Sequence, residues 1–193
     1  GKLLRPMIAL LIARATGKVT EDSIRYAAAS ELLHNATLMH DDVADESSER
    51  RGGPSVSALV GPGAAVLVGD FWLSRAVDTV LHAENYERVL RKYSKSLSDL
   101  SEGEILQLEK ASSADTVEAD YFRIIYCKTA SLFETVGFAS ADSVNAPQEF
   151  INAAGDFARF FGIAFQIKDD ILDYTGTNAL GKPLGVDLKE QKI

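Results

Sequence analysis

Apolar residues recur at helical rather than strand spacing along most of the chain, and Gly and Pro fall between the periodic runs. Pro6 to Ala15 predicts a helix with Pro near its first turn and Gly17 beyond its end. Thr20-Glu21-Asp22-Ser23 predicts a second helix start with acids in its first turn, and the run it opens continues to His40 and the acids that follow. Ser47 to Pro54 reads as a polar loop containing Arg50, Arg51, Gly52 and Gly53, and Gly61-Pro62-Gly63 breaks the chain again. Helices are predicted from Ala64 to about His82 with Gly69-Asp70 near the middle, from Glu84 to Lys110, and from Thr116 to Gly137 carrying Lys128. A last one starts at Asn145-Ala146-Pro147 and runs through Phe157, Phe160, Phe161 and Phe165; Gly176 to Gly185 reads as loop. The expected fold is all-α, a single-domain helical bundle over residues 1–193 around a central site.

Two acidic stretches interrupt this apolar pattern. The first is Asp41-Asp42-Val43-Ala44-Asp45, the second Asp169-Asp170-Ile171-Leu172-Asp173, each closing an apolar helical run. Residues four apart on a helix share a face about 6 Å apart, so Asp41 repels Asp45 unless a cation stands between them. One such cluster is ordinarily a solvated helix end; a second copy with the same spacing favours a hard divalent cation.

Charge and composition narrow the partners. The net charge is −8, which excludes nucleic acid as the expected partner, and an anionic substrate would need cations and a basic lining. Lys2, Arg5, Arg50 and Arg51 offer that lining, with Lys128 and Lys182 to complete it; arginine's planar fork suits phosphate. His34 lies two helical turns before Asp41 on nearly the same face, and is either a satisfied core group or a site group; His40 reads as an adjacent structural residue. The single cysteine, Cys127, sits in an apolar context and reads as a small buried hydrophobe. No run approaches the roughly 20 apolar residues of a membrane span and no signal peptide is visible, so a soluble, cytoplasmic protein is expected.

These parts permit a narrow chemistry. Mg²⁺ held by one or two carboxylates and by substrate phosphate oxygens, with Arg and Lys alongside, would neutralise charge building on a departing diphosphate. A carbon–oxygen bond could then ionise, and apolar helices would shelter the carbocation from water.

At this point the sequence resembles the trans-isoprenyl diphosphate synthases, or polyprenyl synthetases. The resemblance is carried in order by Gly1-Lys2-Leu3-Leu4-Arg5-Pro6, His34 to Asp45 with Arg50-Arg51-Gly52, Gly69-Asp70, Gly103-Glu104 with Gln107, Lys128-Thr129, Phe165 to Asp173, and Gly181-Lys182 to Asp187. It implies the isoprenoid-synthase type of helical fold and a head-to-tail condensation of an allylic diphosphate with isopentenyl diphosphate. By the same resemblance Asp41 and Asp45, with Asp42 nearby, ligate Mg²⁺ on one side, and Asp169, supported by Asp170 and Asp173, on the other. Three Mg²⁺ ions are implied with substrate bound, and Mn²⁺ as a substitute. Arg50, Lys128 and Lys182 grip the allylic diphosphate; Lys2, Arg5, His34 and Arg51 hold isopentenyl diphosphate; Thr129 and Gln166 face the allylic carbon. The family's final proton acceptor is the released pyrophosphate, and its members are commonly homodimers.

Ala36 and Thr37 occupy the positions where short-chain members carry aromatics that floor the product tunnel, so the resemblance implies an open tunnel and a medium- or long-chain product of the quinone side-chain type. The competing reading of the tunnel is a deeper floor at Leu132 or Phe133, and a short-chain farnesyl or geranylgeranyl diphosphate synthase is the alternative function. A terpene cyclase or head-to-head synthase, and a non-catalytic subunit of a heteromeric synthase, are further alternatives. Gln191 stands where the family commonly has Gly, and the absence of an initiator Met together with an end in a polar segment leads to the expectation of truncation at both ends, with activity and dimerisation in question.

Overall fold

The computed structural model describes residues 3–175. Lys2, Lys182 and the 176–185 loop of the sequence reading lie outside the described residues. The chain divides into two compact units: residues 1–90 with 139–146, and 91–138 with 147–193.

The first unit starts with α1 (Leu4–Thr16), which buries Ile8, Ala9, Ile12 and Ala13 along one face. Helix α2 (Glu21–Ala44) opens on the expected signal: Thr20 and Ser23 cap each other's backbone N–H groups. Tyr26, Ala27, Ser30, Leu33, Ala36 and Thr37 are its buried positions. The stretch expected as a plain loop instead forms a two-stranded ribbon, β1 (Glu49–Arg50) against β2 (Gly53–Pro54), with Glu49 opposite Pro54. Its two-residue turn is Arg51-Gly52, at φ +55° and +78°. Tight hairpins favour that left-handed pair because its twist matches the strands, and Gly52 adopts it without strain. A short helix, α3 (Val56–Val60), capped by Ser55, was concealed in the sequence by the Gly61-Pro62-Gly63 break. Pro62 then begins α4 (Pro62–Leu81).

Helices α2 and α4 approach closely at Gly69. A Cβ there would collide with His40 Nε2 and would lie 2.6 Å from His40 Cδ2 and 3.3 Å from the Ala36 carbonyl oxygen. His40 Nε2 is 3.3 Å from the Val66 carbonyl oxygen and 3.2 Å from Asp70 Oδ1, so the Gly69-Asp70 pair both makes room for the imidazole and receives it.

In the second unit lie most of α5 (Tyr86–Ser113), α6 (Glu118–Ile125), most of α7 (Ser131–Asp142) and α8 (Gln148–Thr175). The helix expected from Thr116 to Gly137 is interrupted: residues Tyr126–Ala130 form a π turn between α6 and α7. Three glycines set the packing here. A Cβ on Gly103 would meet Cys127 Cβ at 2.7 Å, one on Gly162 would meet Ala130 Cα at 2.7 Å, and one on Gly137 would meet Ala158 Cβ at 2.7 Å. Phe133, buried, packs edge-on against Phe161 at 5.4 Å between centroids, and Phe161 stacks with Phe165 at 6.4 Å.

Candidate active site

The first acidic cluster is the last turn of α2. Asp41 is partly buried, Asp45 is the exposed C-cap, and the Asp45 backbone N–H donates to the Asp41 carbonyl at 2.8 Å. One residue turns a helix by about 100°, so Asp42 points elsewhere. It is 3% exposed, and Arg50 Nε donates to its Oδ1 at 2.7 Å while Arg50 Nη2 bonds the same oxygen. Asp42, expected beside the metal, and Arg50, expected on the allylic diphosphate, here hold each other, and the pair fastens the ribbon to α2.

The basic groups of this unit gather around His34. Arg5 stands on the first turn of α1, and Arg51 is exposed at the tip of the ribbon. Burial holds the Arg5 guanidinium down to about 10, against the opposing pull of Glu31 and with a further push from Arg51. His34 is driven to about 3, by burial first and then by Arg5, Arg51 and Arg50. At neutral pH it is therefore a neutral imidazole amid cations, which places it with the basic groups. Ala36 and Thr37 are both buried, Thr37 Oγ1 donating to the His34 carbonyl at 2.9 Å.

The second unit builds its polar groups on the π turn. Such turns widen a helix locally and recur at functional sites. Lys128 Nζ lies 2.6 Å from Glu104 Oε1 and donates to Gln107 Oε1 at 2.8 Å, so the Gly103-Glu104 and Gln107 positions of α5 receive the lysine. Cys127, beside it, is buried, and burial pushes its thiol up, in keeping with a hydrophobe rather than a nucleophile. Thr129 Oγ1 donates to Gln166 Oε1 at 2.7 Å, Gln166 Nε2 donates to Asp170 Oδ1 at 2.7 Å, and Tyr121 OH donates to Asp170 Oδ2 at 2.6 Å. Gln166 and Thr129, expected at the allylic carbon, thus support a carboxylate. Tyr121 escaped the sequence reading, because its partner lies 49 positions away. Leu132 and Phe133, the deeper-floor candidates, are both buried.

The two clusters share a plan. In each, the outer acids stand one helical turn apart while the middle acid is bonded within its own unit: Asp42 to Arg50, Asp170 to Gln166 and Tyr121. Among the described residues no three His, Cys, Asp or Glu side chains converge into a closed metal cage. Mg²⁺ does not require one, since it takes one or two carboxylates and completes its shell with water and phosphate. Asp41 with Asp45 in the first unit, and Asp169 with Asp173 in the second, are each an all-oxygen pair of that kind. No helix among the described residues is long and apolar enough to cross a membrane.

Known proteins match this chain over its whole length. The sequence profile described as polyprenyl synthetase matches residues 1–193. Octaprenyl diphosphate synthase of Haemophilus influenzae is 44% identical over 193 residues, covering 100% of this chain and 58% of that protein. The crystal structure of a decaprenyl diphosphate synthase from Rhodobacter capsulatus superposes with a TM-score of 0.93 at 40% identity, over 100% of this chain and 59% of the other. A polyprenyl synthase from Caulobacter crescentus, complexed with calcium and isoprenyl diphosphate, gives 0.93 at 37% identity, again with 100% and 59% covered. The chain thus spans about three-fifths of the length of the proteins it matches.

Proposed function

Because the chain belongs to the polyprenyl synthetase family, we propose that it is the catalytic part of a prenyltransferase that joins an allylic diphosphate head-to-tail to isopentenyl diphosphate. Its residues 1–193 act as one catalytic domain, and the product is a medium- or long-chain trans-polyprenyl diphosphate. The observation that carries this reading is the duplicated Asp-Asp-x-x-Asp turn, with its outer acids one turn apart and its middle acid anchored. The similarity to octaprenyl and decaprenyl diphosphate synthases across the whole chain supports the longer product.

Asp41 and Asp45 on α2, and Asp169 and Asp173 on α8, would hold Mg²⁺, for which Mn²⁺ can substitute, with Asp42 and Asp170 behind them. Bound there with the diphosphate, the metal supplies charge neutralisation of the leaving group. Arg50, Lys128 and Lys182 bind the allylic diphosphate. For Lys128 this means exchanging Glu104 for a phosphate oxygen of the diphosphate, a group that carries more negative charge than one carboxylate. Lys2, Arg5, His34 and Arg51 bind isopentenyl diphosphate; the neutral His34 donates a hydrogen bond without adding charge. Thr129 and Gln166 lie toward the allylic carbon, and small Ala36 and Thr37 leave room for the growing chain. The enzyme works in the cytoplasm as a homodimer.

Incubating the full-length protein with labelled isopentenyl diphosphate, an allylic primer and Mg²⁺ tests the proposal. Label should pass into an organic-extractable product whose mass, after dephosphorylation, gives the chain length. Failure to elongate the primer would end it, and a product of farnesyl or geranylgeranyl length would overturn the chain-length part alone.

A further inference from the structure

The end of α8 is an exposed place to keep a metal-binding turn. Ile171 is 55% exposed and Leu172 38%, so apolar packing around the acids is thin. The Tyr121 hydroxyl on α6 reaches this turn from elsewhere in the unit, hydrogen-bonded to Asp170 Oδ2 at 2.6 Å across 49 positions of sequence. From within α8, Gln166 Nε2 donates to Asp170 Oδ1 at 2.7 Å.

The polarity of the whole chain of bonds follows from its acceptor. A carboxylate accepts and does not donate, so the amide face of Gln166 turned toward Asp170 is its NH₂. Its carbonyl therefore faces Thr129, whose hydroxyl must donate, as it does at 2.7 Å. Tyr121 must likewise donate to the second oxygen. Both oxygens of Asp170 are engaged from two directions, which fixes the plane of the carboxylate and the rotation of the turn carrying Asp169 and Asp173. A carboxylate has about four acceptor positions, so metal or metal-bound water can still be served.

We propose that Tyr121 is a positioning residue for the second acidic cluster: through Asp170 it clamps the last turns of α8 to α6 and presets Asp169 and Asp173 for a metal-bound diphosphate. This rests on the function proposed above and assigns the residue that makes its second metal turn rigid.

The test is calorimetric titration of the protein with pyrophosphate in MgCl₂, repeated in EDTA, for the unaltered protein, Tyr121→Phe, Asp170→Asn and the double variant. Tyr121→Phe removes one oxygen and keeps the ring that meets Phe122 edge-on. A hydrogen bond to a charged group is worth enough to predict about tenfold weaker pyrophosphate binding in Mg²⁺. Binding in EDTA should stay unchanged, the loss of the clamp should lower the melting temperature by only a few degrees, and in the Asp170→Asn background the Tyr121 change should add less than about twofold. Equal affinity of Tyr121→Phe and the unaltered protein overturns the inference while leaving the proposed function intact. So does a full Tyr121 effect without Asp170. Absence of Mg²⁺-dependent pyrophosphate binding in the unaltered protein would overturn both.

Discussion

Acidifying the protein from pH 7 to pH 5 should remove about 2 kcal/mol of stability through His34 alone, more than most single surface changes remove. In the folded state the imidazole is held at about 3, by burial and by Arg5, Arg51 and Arg50; in the unfolded chain it returns to its ordinary 6.5. As the pH drops through 6.5 the unfolded chain takes up a proton that the folded protein refuses until near pH 3. The unfolded state binds more protons across that window, so stability falls as pH falls. The contribution is only about 0.2 kcal/mol at pH 7, about 2 kcal/mol at pH 5, and approaches about 5 kcal/mol only below pH 3. Urea unfolding of the unaltered protein and of His34→Gln, at both pH values, isolates the effect, because the other titrating groups are common to the two proteins. The unaltered protein should lose about 2 kcal/mol more than the variant between pH 7 and pH 5. Since burial is the larger cause, most of that difference should survive high salt. Equal losses, or an NMR titration of His34 with a midpoint between pH 5 and pH 8, would refute the placement of this imidazole among the arginines.

Further outcomes follow from other contacts. Arg50→Ala leaves Asp42 buried without its partner and should destabilise by about 3 kcal/mol, measured by thermal denaturation, with part of the loss recovered when Asp42→Asn is added. Gly103→Ala drives a methyl group into Cys127 and should destabilise by about 1–3 kcal/mol while displacing Lys128, seen as a raised KM for the allylic diphosphate. Asp41→Ala and Asp169→Ala should each reduce product formation by at least about a hundredfold with the circular dichroism spectrum retained. Thr37→Phe, if it folds at native yield, should shorten the product seen by mass spectrometry; an unchanged length would remove Thr37 from the tunnel.

Much of this protein is legible before any coordinates, because its helices are long, periodic and punctuated. The Thr20 start and the run from it to Asp45 are as the sequence states them, since capping and apolar spacing are local signals. The Asp-Asp-x-x-Asp repeat likewise announces itself by spacing alone. What sequence cannot state is which acid of each cluster faces the protein. That depends on Arg50, eight residues beyond Asp42 and carried back by a hairpin, and on Tyr121, whose phenol looks like one more half-apolar position of α6. Arg5 reads as part of a basic lining for an anion, but no local signal states that it is sheltered enough to be held below its ordinary range. The ribbon was missed because two-residue strands leave no alternation to detect, although Arg51-Gly52 carries its turn signal.

The π turn between α6 and α7 can also be regarded as one extra residue taken up without turning the helix. Five residues, Tyr126–Ala130, take the wider winding, so α6 and α7 continue as one rod. Each residue of an ordinary helix advances the side-chain direction by about 100° and each residue of the wider turn by less, so the five sweep about as far as four ordinary residues would. Deleting one residue from this segment would let the rod wind regularly and keep α6 and α7 in nearly their present phase. What the deletion would remove is the local widening on which Lys128 meets Glu104 and Gln107 and Thr129 meets Gln166. Chain length in this short stretch is therefore as constrained as the identities of Lys128 and Thr129 themselves.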